Sequence, residues 1–292
     1  MADVPTRPGA PALVASFFTL AGAGFAEPPR NRFTARCAAA AAAGFSGIGL
    51  HADDLARTVD AGLPVPEMQA VLRDHGLSVV EIEFLGGWVD LPPGAWAPVS
   101  AAIGSVAEKF GGRHVSAGEF RGDIALNPDG AAASLRAHAD RLARQGLRVA
   151  VEAFPWSVLG RVETAIDLVR RSGAANAGIL VDVWHFYNCG GSAELLADLP
   201  GAGIAAVQLN DGPRVRSDDP ADLLHAARTR RELPARGDLD VVGLIRAVRA
   251  AGFAGPWCVE VNTPAFRALP VDEAARQAAE TSRAVLGAAG VG

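Results

Sequence analysis

The feature that most limits what this chain can fold into is an alternation, kept up along nearly its whole length. Short apolar runs take turns with longer segments of helical spacing. Apolar runs of four to eight residues without polar alternation read as strands buried on both faces, as in a parallel sheet covered by helices. They fall at Leu13–Thr19, Gly47–Leu50, Ser78–Phe84, His114–Glu119, Arg148–Glu152, Gly178–Asp182, Ile204–Leu209 and Trp257–Val261. Helical spacing fills Arg32–Ala43, Pro66–His75, Ala95–Phe110, Gly130–Gln145, Val162–Arg171, Ala193–Leu199, Asp240–Ala250 and Asp272–Leu286. Gly44, Gly76, Gly111, Gly146, Gly173 and Gly252 each stand where a helix must stop before the next strand, the place where a left-handed residue closes a helix. Eight such units in 292 residues give about 36 residues each, ordinary for βα repeats. The expected fold is therefore α/β: one (β/α)8 barrel spanning residues 1–292 as a single domain. In that architecture the active site lies at the C-terminal ends of the strands.

Several alternatives fall away. An open doubly wound sheet wants a glycine-rich turn leaving an early strand, whereas Gly44-Phe-Ser-Gly-Ile-Gly49 enters one. The segment Ala12–Leu20 with Ala21–Ala26 after it has the outline of a secretory leader, but the strand count needs it as the first strand. Cys37, Cys189 and Cys258 lie far apart with no C-x-x-C pair, which points to a reducing, cytoplasmic setting without disulfides. Lys109 is the only lysine and falls in a helical segment, which argues against Schiff-base chemistry. A net charge of −5 without a basic block gives no footprint for nucleic acid. No apolar stretch approaches the ~20 residues of a membrane span.

The last four strands each end on an oxygen donor: Glu152, Asp182, Gln208 and Glu260. In a barrel those ends converge on one mouth. Unpaired carboxylates in low dielectric cost several kcal/mol per ion, so protons or a cation must offset them. An all-oxygen set suits one hard divalent ion, Mn²⁺ or Mg²⁺ before Zn²⁺. His185 follows Asp182 by three residues and is a candidate to polarise or protonate a substrate oxygen. Trp184 and Trp156 could wall a small polar ligand. Arg214, Arg231 and His51 are candidates to hold its distal hydroxyl, carboxylate or phosphate.

The pattern Val-Glu152-Ala-Phe, Val-Asp182-Val-Trp-His185, Val-Gln208-Leu-Asn-Asp211 and Val-Glu260-Val, at spacings of 30, 26 and 52 residues, resembles the xylose isomerase-like barrel superfamily. That group holds sugar isomerases, ketose epimerases, inosose dehydratases and 3-dehydroshikimate dehydratases. The resemblance implies that Glu152, Asp182, Gln208 and Glu260 bind one divalent metal and that the two glutamates also transfer protons. Arg231-Glu-Leu-Pro-Ala235-Arg-Gly-Asp-Leu239 is similar to the family's R-x-x-P-G-x-G-x-L loop, with Ala235 in place of the usual glycine. Gln208 stands where many members carry histidine, a feature shared with dehydratase-like members. Phe154-Pro-Trp-Ser157 replaces the Asn-Arg-x-Glu run of the ketohexose epimerases. Endonuclease IV shares the fold but uses three zinc ions and many histidines; six scattered histidines and the net negative charge argue against it.

The chemistry implied is removal of a proton next to a polarised carbonyl, giving an enolate. One of Glu152 and Glu260 would take the proton and the other return one. Return to the opposite face is epimerisation, return to the next carbon is isomerisation, and loss of a β-hydroxyl is dehydration. The breadth of the family favours an isomerase or epimerase of a sugar or similar polyhydroxy carbonyl compound. Gln208 keeps a dehydratase of a keto-cyclitol or 3-dehydroshikimate-like compound close behind. A non-catalytic sugar-binding or scaffold barrel is a third reading, and barrels of this family often form homo-oligomers.

Overall fold

The computed structural model describes residues 11–25, 27–90, 95, 97–199 and 203–292. Eight parallel strands form a closed barrel in chain order: β1 (Leu13–Ala15), β2 (Gly47–His51), β3 (Ser78–Gly86), β4 (His114–Gly118), β5 (Arg148–Val151), β6 (Ala177–Asp182), β7 (Ile204–Leu209) and β8 (Trp257–Val259). Closure comes from β1 pairing with β8, Val14 opposite Cys258. The barrel is filled, not hollow. Its lower interior holds Ala150, Leu180, Ala205 and Ala206 on one side and Val14, Val80 and Cys258 on the other. These side chains are small because eight strands leave room for little more.

The helical layer comprises α1 (Phe17–Ala21), α2 (Phe33–Ala42), α3 (Ala52–Asp60), α4 (Val65–Asp74), α5 (Ala97–Phe110), α6 (Pro128–Ala143), α7 (Val162–Ser172), α8 (Val183–Asn188), α9 (Ala193–Ala197), α10 (Pro220–Thr229), α11 (Val241–Ala250), α12 (Pro264–Arg267) and α13 (Val271–Ala288). Its inner faces bury Met68, Ile103, Leu135, Leu142 and Leu286 against the strands. Between α2 and α3 lies a buried ion pair, Arg36 with Asp54. The Arg36 guanidinium also sits 5.0 Å from the centre of the Phe17 ring, a contact that softens the desolvation of the charge.

The structure departs from the sequence reading in places that bear on the site. The first apolar run is strand only to Ala15; Phe17–Ala21 turns into a fully buried helix, a difference periodicity alone cannot detect in so short a run. Thr19 Oγ1 ties that helix back to the barrel by donating to the Val259 carbonyl at 2.7 Å. Trp184 and His185, just past β6, lie in the first turn of α8, a helix absent from the expected set, which Asp182 caps by accepting the His185 backbone N–H at 2.9 Å. Helices α3 and α10 were not expected. The first is capped by the His51 side chain and the second by Asp219 with Pro220 at its first position. The helix expected from Ala95 begins at Ala97, position 96 being outside the described residues.

His138 on α6 is fully buried, with its Nδ1 3.3 Å from Ser100 Oγ on α5. Burial pushes it down to about 4, so the folded state keeps it neutral where the unfolded chain takes a proton near pH 6.5. Its contribution to stability is complete above pH 6.5 and drains away as pH falls toward 4, at up to about 1.4 kcal/mol per pH unit. Urea unfolding of wild type and His138→Asn at pH 7 and pH 5 should show the gap between them narrowing by about 2 kcal/mol on acidification. A gap that stays constant would refute the assignment.

Candidate active site

Strand register brings the four oxygen donors together. Asp182 and Gln208 face each other across β6 and β7. Glu152 follows β5, its backbone N–H donating to Ala117 of β4, and Glu260 follows β8, its N–H donating to Leu209 of β7. All four are at least 95% buried. Three of them are acids, and burial drives each toward the protonated form. Glu152 is raised well above the ordinary range, by burial and then by the charges of Asp182 and Glu260. Glu260 is pushed up to about 7 by burial, with Arg231 pulling the other way, and Asp182 is raised by burial against the same pull.

Arg231 is the cation at the centre of this cluster. It is 1% exposed, and its Nη1 donates to Asp182 Oδ2 and to Glu260 Oε2, both at 3.2 Å. One guanidinium shared by two carboxylates lowers their repulsion and fixes both side chains. Asp182 is held further by Asn210, whose Nδ2 donates to Oδ2 at 2.5 Å while its Oδ1 accepts from the Trp184 backbone.

A network below the floor orients Gln208. Glu81 on β3 accepts from Gln208 Nε2 at 2.9 Å, from His114 Nε2 at 3.3 Å and from Ser116 Oγ at 3.4 Å. Burial works to raise Glu81, but the hydrogen bond and charge of His114 hold it below the ordinary carboxylate range. An anionic Glu81 demands the amide nitrogen, so Gln208 must turn its oxygen away from it. That Oε1 is buried without a hydrogen-bond partner, as is Glu152 Oε1. Two orphaned oxygens beside two further carboxylates are a donor set that a hard divalent cation satisfies. Glu152, Asp182 and His185 also present ligand atoms within 4.8 Å of one another. The residues present fit a metal.

Above this floor opens a cavity of about 390 Å³, within the range for small-molecule sites. His185 lines it, with Nε2 3.8 Å from Glu152 Oε1. Burial, and then the Arg231 charge, hold His185 well below the ordinary histidine range, so the ring is a neutral imidazole. One wall is a run of parallel rings: Phe120 on Phe154 at 6° and 5.1 Å, then Phe154 on Trp156 at 3° and 5.2 Å. Gly118 makes that wall possible, because a Cβ there would stand 2.6 Å from the Phe154 ring. Phe18, Phe25 and Phe84 line the cavity elsewhere, and Arg228, exposed at the end of α10, adds a second cation to the lining.

Of the residues singled out from sequence, Glu152, Gln208, Glu260, His185, Arg231, His51 and Trp156 line this one cavity. Asp182 lies just beneath it, in contact with Arg231. The remaining two stand apart from it. Trp184 is fully buried outside the lining, and Arg214 is an exposed residue stacked 4.8 Å from the Tyr187 ring centre. Sequence reasoning passed over Glu81, Glu83 and Arg228. The acids did leave a signal: two glutamates spaced by two within an apolar strand must share a face. Arg228 was hidden because α10 itself went unread.

The loop carrying Arg231 is pinned to the end of β7. Asp211 exchanges two backbone hydrogen bonds of 2.8 Å with Glu232, and its Oδ1 accepts from Leu239 N–H at 3.1 Å. Gly237 packs so closely that a Cβ would fall 2.3 Å from the Gly212 nitrogen. Ala235 has φ = 66°, a left-handed conformation in which a side chain is strained.

Comparison with known proteins places the chain among relatives. The family described as xylose isomerase-like TIM barrel matches residues 37–285. A 3-dehydroshikimate dehydratase of Pseudomonas aeruginosa is 37% identical over 155 residues, 53% of this chain and 23% of that protein. An inosose isomerase of Bacillus velezensis is 28% identical over 143 residues, 48% of this chain and 49% of that protein. These matches thus span less than half the length of the curated relatives. Among solved structures, the IolI protein with a bound zinc atom superposes with a TM-score of 0.83 at 16% identity, covering 95% of this chain and 98% of that one. A xylose isomerase-like TIM barrel/4-hydroxyphenylpyruvate dioxygenase fusion protein gives 0.80 at 22% identity, covering 93% of this chain and 42% of that one.

The strain at Ala235 can be measured. Ala235→Gly relieves a left-handed alanine, offset in part by the greater freedom of glycine in the unfolded chain, for a net gain of about 0.5–1 kcal/mol. Denaturant midpoints of the two proteins compare them directly; a destabilised glycine variant would mean that the loop's geometry rests on the methyl group.

Proposed function

The chain belongs to the xylose isomerase-like TIM barrel family, and from that premise we propose that it is a metal-assisted dehydratase of a small cyclic β-hydroxy ketone bearing a carboxylate. The observation that carries this reading is the stack of Phe120, Phe154 and Trp156 beside a neutral His185. A stack of rings is extended by a further flat, conjugated ring at its end, which suits a planar ring product better than an open-chain sugar. Arg228 and Arg231 line the same cavity, and a guanidinium pairs with a carboxylate in two parallel hydrogen bonds. The name carried by the P. aeruginosa relative supports the same class.

Glu152, Asp182, Gln208 and Glu260 would hold the metal. When bound, a divalent ion draws electron density from a carbonyl and stabilises negative charge developing on its oxygen. The chain's own groups then divide the work. His185, neutral and facing the cavity, accepts the proton next to the carbonyl. Sequence alone assigned this step to Glu152 or Glu260. The geometry favours His185 because Glu260 is engaged by Arg231 and Glu152 lies in the proposed ligand set. The aromatic wall and buried floor keep water from the reacting carbon.

Isomerisation or epimerisation is the second reading, favoured by the inosose isomerase relatives. It shares the first proton transfer and differs only in where a proton returns. The two are separated by incubating the protein and Mn²⁺ or Mg²⁺ with 3-dehydroshikimate, inosose and a panel of keto sugars. A product lighter by one water is expected for the carboxylated ring, and a product of equal mass would establish the second reading instead. Absence of both, with no exchange of the α-proton in deuterated solvent, would overturn the enzymatic proposal. Chelator should abolish turnover and added Mn²⁺ restore it. His185→Gln should lower kcat by about 10²–10⁴-fold with the fold intact by circular dichroism; a variant within a few-fold of wild type would remove His185 from the mechanism.

A further inference from the structure

Strand β3 carries a pair of inward acids that the mechanism above leaves unused. Glu81 and Glu83 alternate on one face, Glu81 wholly buried and Glu83 3% exposed at the cavity surface. Their surroundings are opposite in kind. Glu81 receives hydrogen bonds from His114, Ser116 and Gln208, which suits an anion. Neither oxygen of Glu83 has a donor within hydrogen-bonding distance. The nearby guanidinium of Arg231 is already shared between Asp182 and Glu260. A second carboxylate anion beside Glu81, with no donor and no cation, is the arrangement that a buried site does not tolerate. Glu83 is therefore a neutral carboxylic acid, raised well above the ordinary range by burial and then by the charges of Glu81 and Glu260.

The proton of that neutral acid is hydrogen-bonded to the anionic Glu81 beneath it, and because Glu83 also lines the cavity, a bound hydroxyl can draw the proton from the pair. His185 approaches the same cavity from α8, after β6, while Glu83 approaches from β3, so base and acid face a bound ring from different sides. Loss of water from a β-hydroxy ketone needs that pair. Hydroxide is a poor leaving group unless it is protonated as the C–O bond breaks.

We propose that Glu83 is the acid that protonates the departing hydroxyl, an assignment that rests on the dehydratase reading above. In the step, His185 takes the α-proton and the electrons of that C–H bond form the new carbon–carbon double bond. The C–O bond breaks and the Glu83 proton goes to the leaving oxygen, which departs as water. The carboxylate left at Glu83 regains a proton from the imidazolium of His185 through the water molecule just released, and both groups return to their starting states. No oxidant or further reactant enters. Glu81 acts as a positioning residue in this scheme: its fixed negative charge beneath Glu83 keeps the acid protonated between turnovers.

The test compares leaving groups. A hydroxyl needs a proton to depart, whereas fluoride, nearly the same size, departs with far less help. 3-Dehydroshikimate and its analogue with fluorine in place of the departing hydroxyl are each given to wild type and to Glu83→Gln, which keeps the shape of the side chain but cannot transfer a proton. Turnover of the hydroxy compound should fall by about 10²-fold or more, while the fluoro compound should be processed within a few-fold of wild type. Glu83→Leu should show the same selective loss, with both variants melting close to wild type. Equal slowing of both compounds, or no slowing of either, overturns the role of Glu83. If wild type eliminates neither water nor fluoride, the dehydratase reading itself is at fault, and the assignment falls with it.

Discussion

A closed barrel has no edge, so every polar side chain that ends a strand on the inner face must share one narrow mouth with the others. Here that constraint gathers Glu152, Asp182 and Glu260 around a single fully buried guanidinium, that of Arg231, with the buried Glu81 and Glu83 of β3 close enough for their charges to be felt. One positive charge cannot neutralise five negative ones. The structure settles the excess in three ways. Arg231 bridges Asp182 and Glu260, hydrogen-bond donors stabilise Glu81 as an anion, and burial drives Glu83 and Glu152 toward the protonated form. Each solution leaves a group in a state that free glutamate or aspartate does not adopt at neutral pH, and those altered states are the raw material of acid–base chemistry.

The chemistry is distributed over the wall accordingly. Histidine is kept uncharged by burial among Phe154, Trp156 and Trp184, so it can accept a proton. The oxygens of Gln208 and Glu152 are left without partners at the floor. The aromatic stack runs outward from His185 to Phe120, which is half exposed at the rim. A ligand entering there meets apolar faces first and charge only at depth, an order that favours a molecule with a flat body and a polar end.

Much of the architecture could be read from the chain. Eight apolar runs with glycine stops prefigure eight strands within a few residues, because parallel strands buried on both sides leave an unambiguous mark. Strand ends carrying Glu152, Asp182, Gln208 and Glu260 could be located for the same reason. What could not be read follows from how those signals arise. Phe17–Ala21 is apolar on all sides, so its helix looks like a longer strand. Helix α10 has only Leu223 and Leu224 as large apolar residues and declares itself chiefly through the Asp219–Pro220 cap. That Arg231 also bridges two of the acids could not be read, since nothing local reveals that a residue 49 positions after Asp182 folds back onto it. Glu81 and Glu83 were passed over as part of a strand, although their spacing by two was the clue.

Gln208 shows how far from the ligand a site can be determined. An amide group presents oxygen or nitrogen depending only on which way it is turned, and here the turn is set by Glu81 from underneath. The floor of the cavity thus owes its electron-rich character to a carboxylate that no ligand can touch. Exchanging that hidden acceptor for a donor would let the amide rotate by half a turn, and the same glutamine would then greet cations with hydrogens. Affinity at the surface is in this sense encoded one storey down, and a change there would rewrite what the barrel attracts without altering any residue in its lining.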